Sequence, residues 1–274
     1  MASASAARGS AGDSLTRRLA SAFVGIPLLL LFIWAGGFWF TSLVALAALL
    51  GVVELYRFSG VRSLVVQWTP GLALTLLLVL NGHFQLFGTT PILVVAGLFM
   101  FLFSLVRGAE SIRPWLLTLA GPLYLGATLA YAVLLRQAPE GALWVTLALL
   151  ATFACDTSAY FIGRAIGRHR MAPRISPGKT WEGAIAGLVG GVGATLLLGW
   201  LFALSLELWE AAALGAGIGI IAQVGDLLES ALKRAANTKE SGWAVPGHGG
   251  LLDRLDSVVF TLVLVYYVSI RGAT

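Results

Sequence analysis

The chain has 274 residues, 58% of them hydrophobic and only 11% charged, with a net charge of +5. A soluble domain carries about 25% charged residues, so this chain lacks the polar groups to cover its own exterior, and a soluble globular fold is excluded. The apolar runs are continuous, without the alternation over about ten residues that marks a membrane β-barrel, and the chain reads as an all-α polytopic integral membrane protein.

Residues 1–14, MASASAARGSAGDS, are small and polar and read as a disordered tail. The apolar segment that follows is too long for a signal-peptide core and is read as the first membrane helix. A membrane helix needs about 20 mostly apolar residues. Breaking the chain at Gly, Pro and charged clusters gives about nine transmembrane helices, over 16–35, 38–56, 64–81, 90–106, 114–136, 141–163, 181–204, 208–231 and 251–270. Five lie in an N-terminal region, 15–136, and four in a C-terminal region, 137–274, which also carries the polar loops. Turns are expected at Gly36–Gly37, Asn81–Gly82 and Pro139–Gly141. NGHFQLFGTTP, between the third and fourth segments, also suits a re-entrant turn. The glycine-rich stretch 187–199, GLVGGVGATLLLG, lets helices approach closely; packing within the chain is its expected use.

Lys and Arg orient the chain, because cytoplasmic segments collect them. With the N-terminus inside, the inner segments hold Arg8, Arg17, Arg18, Arg57, Arg62, Arg107, Arg113, Arg164, Arg168, Arg170, Arg174, Lys179, Lys233, Arg234 and Lys239. The outer segments hold Arg136 and Arg271, and Arg254 stands at the inner mouth of the last span. The positive charge is therefore a topology signal, and no motif for nucleic acid accompanies it. The single cysteine, Cys155, excludes an intrachain disulfide framework and a Cys-based zinc site.

Two inner loops differ from the rest. CDTSAYFIGRAIGRHRMAPRISPGKTWEG covers 155–183, and GDLLESALKRAANTKESGWAVPGHGGLLDRLDS covers 225–257. Asp226 follows an apolar run, and Asp253 and Asp256 precede one. An ionisable residue within a membrane helix costs at least about 2.5–3.5 kcal/mol on insertion scales. Asp253 and Asp256 stand three apart and share a helix face, where they repel unless a cation sits between them. Hard oxygen ligands of this kind suit Mg2+, which binds through one or two carboxylates together with substrate phosphates. The bland alternative pairs Asp253 with a loop cation and uses Asp256 as a cap. Lys233 and Arg234 at the end of the eighth segment, with Lys239 beyond, suit a phosphate clamp, although basic residues also favour a helix C-terminus. Gly249 and Gly250 in PGHGG let backbone N–H groups approach an anion; His248 binds phosphate or holds the turn. SPGKTWEG at 176–183 is not a P-loop, because Pro173 stands where the first glycine is required. It still supplies Ser176, Lys179 and Thr180 as phosphate-binding groups.

SALKRAANTKESGWAVPGHGGLLDRLD, residues 230–256, closely resembles the signature of the phosphatidate cytidylyltransferases, or CDP-diacylglycerol synthases. Ser230, Lys233, Arg234, Lys239, Gly242, Pro246, Gly247, His248, Gly249, Gly250, Asp253, Arg254 and Asp256 fall in place. Glu240 departs, standing where the family usually has Asp. GDLLES, DTSAYFIGRAIGR and SPGKTWEG also look like family segments, so the resemblance covers about 155–270. It implies an integral membrane enzyme, in bacteria of the inner membrane and with its site facing the cytoplasm, that converts CTP and phosphatidate to CDP-diacylglycerol and pyrophosphate with Mg2+. With the spacing, it makes Asp226 and Asp253 the first metal ligands, with Asp256 a third or an orienter of Arg254. A second cation and a homodimer are further expectations from it. Lys179, Lys233, Arg234 and Lys239 would neutralise the triphosphate and the lipid phosphate. Two other readings stay open at this stage: an ion- or proton-coupled transporter using its intramembrane carboxylates, Asp156 among them, and a CTP-dependent lipid kinase.

Overall fold

The computed structural model describes Phe23 and residues 25–59, 68–106, 113–238 and 250–271. The tail 1–14, the start of the first apolar segment, Lys239, Glu240, His248 and Gly249 lie outside the described residues. Helices occupy each of the apolar segments read from the sequence. They are α1 (Gly25–Ala35), α2 (Gly37–Ser59), α3 (Thr69–Phe84), α4 (Thr89–Val106), α5 (Arg113–Gly121) and α6 (Thr128–Gln137), followed by α7 (Gly141–Ile166), α8 (Trp181–Leu201), α9 (Leu208–Ala235), α10 (Leu252–Leu255) and α11 (Val258–Ser269).

Among the described residues, five stretches are long and apolar enough to cross a membrane: Gly37–Ser59, Trp115–Gln137, Gly141–Ile166, Trp181–Leu201 and Leu208–Ala235. This makes the chain a polytopic helical membrane protein. The expected count of nine goes beyond these five. Gly25–Ala35 and Thr69–Phe84 are shorter apolar helices, and the last expected span is divided at Asp256–Ser257 into α10 and the 12-residue α11. One element was not read from the sequence at all: β1 (Arg170–Ala172) and β2 (Ser176–Thr180) form a small antiparallel hairpin in the loop between α7 and α8.

α5 and α6 run into one another through a π-helical turn, Pro122–Ala127. Its cause is local. Pro122 has no N–H to donate to the carbonyl of Thr118, one turn back, so the helical ladder must open. That carbonyl is served instead by the Tyr56 hydroxyl of α2.

The helix ends sort into two groups. At one end, Arg136 donates to the carbonyls of Ile33 (2.5 Å) and Trp34 (3.2 Å) at the end of α1, and Gln85, after α3, donates to Gln137 (2.8 Å). A groove there brings Glu140 and Arg271 beside Ser205 in the α8–α9 turn. Trp34, Trp39, Trp200 and Trp209 are exposed at this end, as expected of aromatic side chains at a membrane–water boundary. The opposite end holds the hairpin, the end of α9 and the start of α10, and the described basic residues Arg57, Arg164, Arg168, Arg170, Arg174, Lys179, Lys233, Arg234 and Arg254. One apolar core joins the two halves, with Val52, Leu55 and Tyr56 of α2 in the same cluster as Leu147, Leu252, Val259 and Val265.

The glycine-rich stretch packs within the chain. A Cβ on Gly215 of α9 would stand 2.6 Å from the Cα of Val192 in α8, so only glycine lets these two helices approach as closely as they do.

Candidate active site

The site begins with helix ends. The C-terminal part of α7, the start of α8 and the C-terminal half of α9 meet the hairpin here. Thr180 ends β2 and caps α8: its hydroxyl accepts a hydrogen bond from the Gly183 N–H at 3.2 Å. Beneath the hairpin lies a cavity of about 650 Å3, lined by Asp156, Arg164, Arg170, Ser176, Lys179, Thr180, Gln223, Asp226, Asp253, Asp256 and Ser257, among others.

Residues from distant segments converge here. Lys179 of β2 lies 2.8 Å from Asp226 Oδ2 of α9 and donates to the Gln223 carbonyl at 3.2 Å. Gln223 is itself tied to α8 and α9 by donating to the carbonyls of Ala184 (3.0 Å) and Gly219 (2.8 Å). Ser230, one turn after Asp226, reaches Asp226 Oδ1 at 3.5 Å. Asp256 enters from the α10–α11 turn, next to α9, because Gly225 leaves no side chain in the way: a Cβ there would stand 2.3 Å from the Asp256 carbonyl oxygen.

Asp226, Glu229 and Asp256 each offer one carboxylate oxygen, and these oxygens lie within 4.8 Å of one another. Glu229 is only 1% exposed, and its Oε1 is buried without a hydrogen-bond partner among the described residues. A buried, unsatisfied carboxylate oxygen beside two other carboxylates is costly. A divalent cation with a preference for oxygen ligands removes both the orphaned acceptor and the repulsion, so these residues fit Mg2+. Nearby, the Tyr124 hydroxyl, on the π-helical turn, is likewise buried without a partner among the described residues.

Asp253 takes a different place in this geometry. Its Oδ1 accepts from Lys233 Nζ at 2.7 Å and its Oδ2 from the Gly250 N–H at 3.2 Å. Lys233 also contacts Glu229 Oε2 at 2.5 Å. Asp253 lines the same cavity as Asp226 and Asp256, one step removed from the closest carboxylate group. The Asp256 carboxylate also accepts from the N–H (2.6 Å) and hydroxyl (3.3 Å) of Ser257.

Of the other residues singled out in the sequence, Ser176 and Thr180 line the cavity. Arg234 is exposed and donates to the Ile175 carbonyl of the hairpin turn at 3.2 Å, and Arg254 is exposed on α10. Glu229, Gln223, Glu54 and the cavity-facing Arg164 and Arg170 were not selected from the sequence, and Asp156 was considered only as part of an ion path. Spacing could have found Glu229, which lies three residues after Asp226 and four before Lys233, on one helical face.

A bundle of membrane helices with carboxylates and lysines clustered around one cavity defines a polytopic membrane protein with a polar site at one end of the bundle. Comparison with known proteins specifies the class. Residues 16–270 match the model of the cytidylyltransferase family, and the chain belongs to that family. It is 34% identical to the phosphatidate cytidylyltransferase of Synechocystis sp. over 92% of this chain and 95% of the relative. It is also 34% identical to that of Brucella abortus over 93% of each chain, and to the chloroplastic phosphatidate cytidylyltransferase 5 of Arabidopsis thaliana over 87% of this chain and 68% of the relative.

Proposed function

We propose that this chain is a membrane nucleotidyltransferase that transfers the cytidylyl group of CTP to phosphatidate, giving CDP-diacylglycerol and pyrophosphate. Family membership supports the reaction. The observation that carries the site assignment is the meeting of Lys179, Asp226, Glu229 and Asp256, from three separate segments, beneath one hairpin.

In this reaction a phosphatidate phosphate oxygen forms a bond to the α-phosphorus of CTP, while the bond from that phosphorus to the bridging oxygen breaks and pyrophosphate leaves in line. The attacking oxygen is already ionised at neutral pH, so neither a side-chain nucleophile nor a general base is required. Both reactants are anions, and the barrier is one of charge and alignment. Asp226, Asp256 and Glu229, with Asp253 alongside, would hold Mg2+, which when bound would supply charge neutralisation to phosphate oxygens. Lys179 holds its charge at the cavity wall through Asp226 and the Gln223 carbonyl, where it can turn to a phosphate. Arg164 and Arg170 line the same space and suit bidentate phosphate contacts. Lys233 lies behind Asp253 and holds that carboxylate in place. Gly250 stands beside Asp253, with Ser230 and Arg254 near the same group; Lys239, His248 and Gly249, which the family signature makes phosphate-binding, lie outside the described residues.

The site belongs on the cytoplasmic side. The described basic residues gather at its end of the bundle, leaving Arg136 and Arg271 at the other, the bias that sets orientation in the membrane. Nine spans with the N-terminus inside accord with this bias, and in a bacterium the inner membrane is the location that the family reading implies. A homodimer and a second cation accompany this reading as expectations from the family.

The test is incubation of the purified protein with phosphatidate, Mg2+ and CTP carrying label on the α-phosphate. Label should appear in lipid together with free pyrophosphate. Lipid labelled only from the γ-phosphate of CTP would make the protein a kinase, and ion flux in vesicles without either transfer would make it a transporter.

A further inference from the structure

The motif turn that carries Asp253 and Asp256 begins with a helix that has no cap of its own. The residue before α10 is Leu251, in right-handed helical backbone and with no side-chain hydrogen bond to the turn. Leucine cannot accept one, and the first N–H groups of a helix have no partner within it. Leu252 is fully buried, so water is a poor substitute.

The missing acceptor comes from the other half of the molecule. Glu54 of α2 is 4% exposed. Its two carboxylate oxygens are divided between two backbone donors: Leu251 N–H reaches Oε1 at 3.1 Å and Leu252 N–H reaches Oε2 at 2.9 Å. A carboxylate at a helix start is favoured by the partial positive charge of the exposed N–H groups. Charged hydrogen bonds of this kind are also shorter and stronger than neutral ones. Glu54 sits in an apolar helix, where an ionisable side chain is expensive without a role.

We propose that Glu54 is a positioning residue for the transfer reaction: it pins the start of α10, and through that turn sets where Asp253 and Asp256 stand in the cavity. The chain of contacts is short. Leu251 and Leu252 are held from α2. Gly250, one residue earlier, donates to Asp253 Oδ2 at 3.2 Å, and Asp256 closes the turn by donating its N–H to the Leu252 carbonyl at 3.1 Å. Releasing Leu251 and Leu252 frees both ends of this network. The N-terminal region thus contributes to the site through a backbone clamp, with no side chain of α2 in the cavity. The kinetic part of this inference rests on the proposed cytidylyl transfer; the clamp itself does not.

The experiment uses full-length Glu54→Gln beside Val52→Ala. Val52 lies on the same helix, is fully buried and packs against Gly121. Glutamine keeps the size of the side chain but loses the charge and presents an amide donor to one of the two backbone donors. Peptide hydrogen exchange covering 250–257 should speed up about tenfold or more in Glu54→Gln and stay at the wild-type rate in Val52→Ala. At saturating substrates kcat should fall about 10–100-fold in Glu54→Gln, with KM for CTP changed less than about threefold. Val52→Ala should lower thermal stability while keeping kcat. Should Glu54→Gln not fold, Glu54→Asp, which keeps the charge and withdraws it by a methylene, is read by the same measurements. Wild-type exchange at 250–257 in the Glu54 variant overturns the inference, and so does an equal loss of kcat in Val52→Ala. Absence of cytidylyl transfer in the wild-type protein counts against the reaction, and the exchange measurement then decides the clamp alone.

Discussion

Lys233 Nζ lies 2.7 Å from Asp253 Oδ1, joining α9 to α10 across 20 residues of sequence. The same ammonium group contacts Glu229 at 2.5 Å, and the lysine side chain is only 14% exposed. One buried cation therefore balances two carboxylates from different helices. Removing it leaves Glu229 and Asp253 facing one another in a poorly solvated position, and breaking a buried pair from one side costs about 3–5 kcal/mol. Lys233→Ala should accordingly lower the thermal unfolding midpoint strongly. Adding Glu229→Gln to it should restore part of the loss, because the uncompensated charge is gone. Asp253→Asn should be milder, since Lys233 keeps Glu229, yet it should abolish turnover. A double variant no more stable than Lys233→Ala would show that the charge of Glu229 is not what the lysine offsets.

The carboxylate group Asp226, Glu229 and Asp256 leads to a second prediction, one that does not depend on turnover. A ligand that binds the folded state raises its stability by about 2.7 kcal/mol when present at about 100 times its dissociation constant. Mg2+ or Mn2+ should raise the unfolding midpoint of the wild-type protein. The shift should vanish in Asp226→Asn and in Asp256→Asn. Glu229→Gln should weaken it as well, because it removes one carboxylate from the same group. Equal shifts in the wild type and in all three variants would place the cation elsewhere.

Much of this site is legible in the sequence because its residues are expensive where they stand. Asp226, Asp253 and Asp256 interrupt apolar runs, and the spacing of Lys233, Arg234 and Asp253 carries the family signature. Three features were passed over. Glu229 lies within GDLLES and looks like an ordinary helical carboxylate until the fold buries it against Lys233. Glu54 is a single acid near the end of an apolar helix, and its partners are backbone N–H groups 197 and 198 residues away. No side-chain pattern records such a contact; only the cost of an acid in an apolar segment hints at it. The hairpin was missed for a different reason. RMA and SPGKT are short, rich in turn formers and poor in β-branched residues, so their pairing follows from the ends of α7 and α8 being held together more than from local propensity.

Gly225 stands where α9 passes the turn carrying Asp256. A methyl group there would meet the Asp256 carbonyl oxygen at 2.3 Å, whereas on Gly193 of α8 nothing lies within 4 Å. Gly225→Ala should destabilise the protein by about 1–3 kcal/mol through overpacking and should remove most of the cytidylyl transfer by displacing Asp256. Gly193→Ala, on an exposed helical position, should be neutral or stabilising by up to about 1 kcal/mol. Thermal unfolding and initial rates of the two variants compare the same chemical change in crowded and open surroundings. Equal behaviour would mean that α9 and the turn can separate without harm to the site.

The two ends of the bundle are told apart by charge, and that assignment can be checked in intact cells. The chain has one cysteine, Cys155, which is fully buried, so an introduced thiol can be read without background from an exposed one. Arg174 lies exposed in the hairpin turn over the cavity, and Ser205 lies exposed in the α8–α9 turn at the other end. A maleimide that does not cross membranes should label Ser205→Cys from outside the cell and should reach Arg174→Cys only after the membrane is permeabilised. The opposite pattern would put the cavity outside, away from cytoplasmic CTP. It would also mean that the basic residues clustered around Lys179 and Lys233 serve the substrate without reporting the orientation of the chain.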